Sequence, residues 1–238
     1  MSADTHPQTG QPVGVVVDVT PAARPGPVVL QGRYGRLEKL SPQHAATLWD
    51  AVKGHDAIWT YMSSYGPFGG ADEFAGWVTQ RATLEEPYAY AIVDNDNRCV
   101  GITTLMEIRP AMRVVEVGHI VYSPALQRTP LGTEAQYLLA RYAFETLRYR
   151  RYEWKCNALN APSWRAALRY GFVFEGVMRA HMIAKGRNRD TAMFSMLDSE
   201  WPARKANFER WLRPENFAGG KQVESLGATT GALNGATT

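Results

Sequence analysis

The stretch from Val114 to Arg148 constrains the fold most. Residues 133–148 place Ala135, Leu138, Leu139, Tyr142, Ala143, Thr146 and Leu147 on one stripe, the signature of an amphipathic helix laid on a core. Before it, Val114–Tyr122 reads as a strand bounded by Pro110 and Pro124, and the short loop QRTPLG joins the two. A chain with this unit must bury the helix stripe against a sheet, and the rest of the sequence supplies that sheet. Val28–Leu40 reads as a strand pair or a bent strand. Pro87–Val93 and Cys99–Ile108 are strands around the turn DNDNR, and Tyr152–Asn157 is another strand. Phe172–Ala184 and Thr191–Leu197 form a strand pair turned by KGRNRD. Helices are expected at Pro42–Val52, Asp72–Thr83, Ala161–Tyr170 with Gly171 as its stop, and Glu200–Leu212. The class is α+β, with an antiparallel first half and a strand–helix–strand in the middle.

The folded domain is expected at 28–213. Residues 1–27 are rich in Pro, Gly, Thr and Ala and read as a flexible arm. Residues 214–238 end in GATTGALNGATT and read as a disordered tail. The 238 residues are 45% hydrophobic with a formal net charge of +3, and the basic residues are scattered rather than gathered in a stripe. This speaks against a nucleic-acid partner. No apolar run is long enough to span a bilayer, and VGVVVDV is interrupted by Asp18 with no basic segment before it, so neither a membrane anchor nor a secretory signal is expected. Cys99 and Cys156 have no metal-ligand spacing and read as half-buried thiols in a reducing, cytoplasmic compartment; no metal is expected.

The loop before Thr133 feeds a helix start, whose unpaired amides and partial positive charge suit a pyrophosphate. Arg128, Thr129 and Thr133 can add donors. Farther on, Asn160 stands before a helix with Ser163 three residues later; the helix closes on Gly171–Phe172, and Glu175–Gly176 follows. Taken together these segments resemble the GNAT superfamily of N-acetyltransferases, and within it the Rim-type branch that includes ribosomal-protein N-terminal acetyltransferases. The family loop, Gln or Arg, two residues, Gly, one residue, Gly or Ala, reads here Gln127, Arg128, Thr129, Pro130, Leu131, Gly132. Pro130 replaces the first glycine and removes one amide donor. The TEA of 133–135 and the N-x-x-S of 160–163 also match. The resemblance implies a largely antiparallel central sheet flanked by helices, with a splayed strand pair that binds coenzyme A.

It also implies acetyl-CoA as co-substrate, with acetyl passing to a primary amine on a protein N-terminus, a peptide or a small molecule. An acyl-CoA-binding regulatory module with a degenerate site is the alternative. The resemblance places Ile120, Val121, Tyr122, Gln127, Arg128, Thr129, Leu131, Gly132, Thr133 and Asn160 on the cofactor. Homodimer formation is left open.

The amine must be neutral to attack. At physiological pH a lysine amine is about 0.1% neutral and an α-amine about a third neutral, so deprotonation is a distinct task. Glu116, eleven positions ahead of Gln127, is the candidate base, with an exposed strand carboxylate as the alternative. His119 falls on the opposite face of an ideal strand from Glu116, and His181 follows the Gly-Phe stop; both are further candidates. Rim-type members carry an acid one position beyond His181, where Met182 stands here. Ser163 matches the serine that hydrogen-bonds the coenzyme A sulfur, or is a first-turn serine bonding backbone. Trp59 and Tyr61, in the aromatic, glycine-rich 59–70 segment, are candidates for the acceptor wall. A packed loop anchored by Trp59 and Phe68 is the other reading.

Overall fold

A computed structural model describes residues 3–220 and 222–227. A short hairpin, β1 (Ala3–Thr5) and β2 (Pro12–Gly14), stands apart from the main sheet. The main sheet contains β3 (Leu30–Gln31), β4 (Gly35–Lys39), β5 (Tyr88–Asp94), β6 (Cys99–Arg109), β7 (Val114–Tyr122), β8 (Arg151–Asn157), β9 (Val173–Ala184) and β10 (Arg187–Leu197). Their order is β3-β4-β5-β6-β7-β8-β10-β9, antiparallel throughout except for the parallel β7–β8 pair. The α+β architecture expected from the sequence is therefore present.

Among the described residues five α-helices cover the sheet. Helices α3 (Pro130–Arg141), α4 (Ala161–Tyr170) and α5 (Trp201–Trp211) pack on one face; α1 (Ala45–Val52) and α2 (Ala71–Ala82) pack on the other. Strand β5 shows why both faces fill. Tyr88, Tyr90 and Ile92 join the core under α3, whereas Ala89, Ala91 and Val93 join the core under α1 and α2. Side chains alternate across a strand, so a run apolar at every position needs two covering layers.

Three local features differ from the sequence reading. The helix expected over 133–148 starts earlier and ends in a π-helical segment at Tyr142–Thr146. Pro130 explains the early start, because its fixed φ and missing amide suit the first helical turn. The KGRNRD turn contracts to Lys185–Gly186, with φ of 49° and 72° respectively. Both central residues of such a two-residue hairpin need positive φ, which glycine supplies freely at the second.

The chain ends differ too. Ala22 is buried in the core, the Ala23 amide donates to the Leu147 carbonyl at 2.9 Å, and the Tyr90 hydroxyl donates to the Gly26 carbonyl at 3.1 Å. At the other end Leu226 is 1% exposed, and the Asn216 side chain accepts from the Glu224 amide at 2.6 Å. Residues 18–27 and 222–227 thus pack on the domain, within the stretches 1–27 and 214–238 that the sequence reads as arm and tail; residues 228–238 lie outside the described residues. Among the described residues, no helix is long and apolar enough to cross a membrane.

Candidate active site

The site is built where β7 and β8 part. They pair from Val114↔Arg151 to Val117↔Trp154 and no farther. Beyond Val117, residues 118–122 have no strand neighbour on the β8 side among the described residues, so that edge is open to a ligand. A bulge sits at the start of this edge. Ile102 pairs with Val121 and Thr104 with Gly118, leaving His119 and Ile120 opposite Thr103 alone. His119 takes φ of 46° to make the bulge.

The bulge shifts the side-chain phase. Val115 and Val117 face the α3 core, but Val121 faces the α1–α2 core. His119 lines the same small pocket as Thr104, whose partner Gly118 shares a face with Glu116. The sequence expectation that Glu116 and His119 lie on opposite faces is therefore overturned by one extra residue in the strand.

On that face Glu116 is buried, and its Oε2 accepts from Lys155 Nζ at 2.6 Å. It is not the exposed strand carboxylate of the alternative reading. Burial raises its pKa above the ordinary carboxylate value, with the Lys155 ammonium opposing the rise. Lys155 also reaches Glu153 at 3.2 Å, and Glu153 accepts from Arg109 and Arg151, both at 2.8 Å. Beside this network lies an open cleft of about 260 Å³, whose walls include Lys155, Glu153, Met193 and His181. The exposed His181 bonds Thr191 Oγ1 through Nδ1 at 3.0 Å.

His119 sits differently. Arg81 of α2 donates to its Nδ1 at 3.4 Å, so a neutral ring carries its proton on Nε2. Burial, with Arg81 and Arg189 nearby, lowers its pKa to about 4. The imidazole therefore presents a donor rather than a proton acceptor at neutral pH, which disfavours it as the base.

At the far end of β7 the loop turns into α3. Thr129 caps the helix, its Oγ1 accepting from the Gly132 amide at 3.1 Å, and Arg128 takes φ of 61°. The Arg128 and Leu131 amides have no acceptor among the described residues. A Cβ on Gly132 would meet the Leu126 carbonyl oxygen at 2.8 Å, so the loop closes on a glycine. Gln127 and Thr133 are already engaged: Gln127 Nε2 donates to the Tyr122 carbonyl at 3.0 Å, and Thr133 Oγ1 accepts from Arg169 at 3.0 Å. The Tyr122 hydroxyl donates to the Gly132 carbonyl at 2.7 Å and accepts from Gln136 at 2.9 Å. That side chain joins strand edge to loop, a role that strand periodicity could not disclose.

Across the splay, Asn160 caps α4, its Oδ1 accepting from the Ser163 amide at 3.2 Å, which leaves the Nδ2 donors for a ligand. Ser163 Oγ accepts from the Trp154 indole at 3.0 Å, and its hydroxyl also meets the Cys156 thiol. Cys99 is buried with its thiol pushed up to about 12, and burial also raises Cys156; neither is an activated nucleophile.

The sequence from residue 36 to 173 matches the model of the acetyltransferase (GNAT) domain. The chain belongs to the GNAT acetyltransferase family. It is 42% identical to a GCN5-related N-acetyltransferase from Brucella melitensis, covering 89% of this chain and 98% of that one, with a TM-score of 0.86. A probable acetyltransferase of the GNAT family from Chromobacterium violaceum is 36% identical over 83% of this chain and 100% of its own, with a TM-score of 0.75. An acetyl transferase from Salmonella typhimurium that modifies the N-terminal serine of a 50S ribosomal subunit protein shares the fold at 20% identity. It covers 71% of this chain and 99% of its own, with a TM-score of 0.62. No curated protein matches the sequence significantly.

As a GNAT acetyltransferase, the chain transfers acetyl from acetyl-CoA, and its residues fit that co-substrate. The open β7 edge offers backbone groups to an amide-bearing arm, and the α3 start offers two amides and the Arg128 guanidinium to phosphates. Among the described residues no cluster suits a metal ion.

The acceptor-wall residues divide. Trp59 is 2% exposed and packs among Tyr65, Phe68, Phe74 and Trp77, so it anchors the 59–70 loop rather than lining an opening. Tyr61 is exposed, and its hydroxyl donates to the Leu159 carbonyl at 3.1 Å, linking that loop to the β8–α4 turn. Lys185, at the β9–β10 hairpin tip, donates to the carbonyls of Trp59 and Gly66 at 2.9 and 2.7 Å. Sequence reasoning missed Tyr65, which meets His119 edge-on at 5.6 Å.

Proposed function

We propose that the chain is an N-acetyltransferase for primary amines, with Glu116 as the proton acceptor and Ser163 as the proton donor. The observation that carries the reading is the buried Glu116 carboxylate on the cleft face of β7, one residue before pairing with β8 ends. Its raised pKa makes it a better base than an exposed carboxylate.

The amine nitrogen bonds to the acetyl carbon as the carbon–sulfur bond breaks. The amine proton passes to Glu116, directly or through one water, and the thiolate takes a proton that Ser163 relays from solvent, so the hydroxyl is restored. Asn160 and the Ile120–Tyr122 edge orient the pantetheine arm, while Arg128 and the Leu131 amide hold the phosphates. His181, on the cleft wall, is the second candidate for the proton.

Among amines, an α-amine suits the site better than a lysine, because more of it is already neutral. The Rim-type features at 133–135 and 160–163 agree with a peptide or protein N-terminus as acceptor. The protein is read as cytoplasmic, with both cysteines reduced.

The test compares acceptors that differ only in amine against hydroxyl, following coenzyme A release and analysing the product by mass spectrometry. Amide formation with the amine alone supports the reading. Ester formation, or coenzyme A release independent of acceptor, contradicts it.

A further inference from the structure

Two walls of the open cleft are made where strand register breaks. In β6 the pairing steps from Met106↔Glu116 to Arg109↔Val114, and Glu107 takes φ of 47°. Ile108 and Val115 stay together in the core under α3, so Glu107 is the extra residue, and it lines the cleft with Arg109. In β9, residues 179–181 stand opposite Asp190 alone. Ala180 takes φ of 50°, and its amide donates to Asp190 Oδ1 at 2.7 Å. His181 thereby shares the cleft wall with Met178, which strict alternation along a strand would forbid. A non-glycine residue at positive φ is strained, and bulges re-aim side chains beside active sites. Both irregularities here aim a polar side chain into one cavity of about 260 Å³.

The charges on these walls decide what the cavity takes. Arg109 is answered by Glu153 at 2.8 Å, and Lys155 by Glu116 and Glu153 at 2.6 and 3.2 Å. Glu107 forms no ion pair among the described residues. A carboxylate entering the cleft would meet cations already neutralised and one free like charge. A cation would gain the Glu107 carboxylate, while Met178 and Met193 offer thioether walls to its carbon chain. Glu107 follows the residue that pairs with Glu116, so the two backbones lie roughly 6 Å apart by strand spacing and rise. One molecule can therefore reach both carboxylates with two nitrogens. We infer that the acceptor carries a second, cationic nitrogen besides the amine that is acetylated, and that Glu107 binds it. The inference rests on the N-acetyltransferase reading and deepens it: Glu116 takes the proton of one nitrogen while Glu107 holds the charge of the other.

The test uses matched acceptors: a four-carbon diamine against the amino alcohol of the same length, and short peptides with Lys, Met or Glu at the second position. Wild type is expected to favour the cationic member of at least one set by about fivefold in kcat/KM, mostly through KM, after correction for the two equivalent amines of the diamine. The preference should shrink as salt is raised. A preference in the first set identifies a small polyamine, and one in the second a basic side chain near a peptide N-terminus. Glu107→Gln is expected to remove the preference while changing the uncharged members less than about twofold, and Glu107→Asp to retain part of it. The Glu107 charge also acts on Glu116, but that effect falls on all acceptors alike, so the ratio reads recognition alone. Equal rates within both sets, a preference for the Glu peptide, or a cationic preference that persists in Glu107→Gln overturns the inference and leaves N-acetylation standing. Acetylation of none of these amines overturns the N-acetyltransferase reading and this inference with it.

Discussion

Lys155 Nζ holds the Glu116 carboxylate at 2.6 Å across the last paired rungs of β7 and β8. The pair is buried on the cleft side of the sheet, where its attraction is balanced against desolvation of both charges. Glu153 stands 3.2 Å from the same ammonium.

Glu116→Gln keeps the shape and leaves Lys155 paired with Glu153, so the protein should fold. Turnover should drop by about 10²–10⁴ if Glu116 takes the proton. The loss should be greatest at low pH, where amines hold their protons, and larger for a lysine-like acceptor than for an α-amine. A pH–rate profile beside an acetyl-CoA titration checks this. A profile matching wild type makes Glu116 a structural partner of Lys155, and His181 is then the residue to test.

Ser163→Ala should lower turnover with little pH dependence, because it acts on the leaving thiolate. The α4 cap survives, since Asn160 accepts from the backbone amide of residue 163. The Trp154 indole loses its acceptor, at a cost of about 1–3 kcal/mol, which denaturant unfolding will read. A drop in turnover that tracks pH would place the hydroxyl on the amine instead.

His119 should make stability pH-dependent. Its folded pKa is lowered from 6.5 to about 4, so folding favours the neutral ring. The contribution is complete above about 6.5 and is lost as pH falls toward 4, amounting to about 3 kcal/mol at most. Denaturation of wild type and His119→Gln across this range should show a flatter curve for the variant. Parallel curves would mean that the ring titrates normally.

Much of this was legible from the residues. Tyr88–Val93 is apolar at every position, so its two-sided burial follows from composition, and the stripe from Ala135 to Leu147 found its core. The loop at Gln127–Gly132 and the Asn160–Ser163 cap were visible as chemistry at element ends. The bulge at His119 was not. Gly118 just before it is the local mark, but one strand glycine does not say where an extra residue falls; the positive φ of His119 itself goes with tertiary contacts from Arg81 and Tyr65. One unseen bulge reverses every later side chain in a strand, which is why His119 was assigned to the wrong face. Both readings of Trp59 stood open in the sequence for a related reason: an aromatic loop looks alike whether its rings face a ligand or each other.

The termini offer a stability test. A chain cut to residues 28–213 loses Ala22 and Leu226 from the core and the hydrogen bonds of residues 23 and 26. Burial of Leu226 alone is worth about 1.5–3 kcal/mol, so the melting temperature should fall by several degrees. An unchanged melting temperature would show that these segments add nothing to the fold.

The central claim is that the unpaired edge of β7 receives acetyl-CoA. Amide hydrogen exchange resolved to residues 118–122, with and without saturating acetyl-CoA, tests it directly. The account predicts slowed exchange at Ile120 or Tyr122 together with Arg128 and Leu131, because these amides gain acceptors from the pantetheine arm and the phosphates. Binding that protects other amides and leaves residues 118–122 unchanged would contradict it.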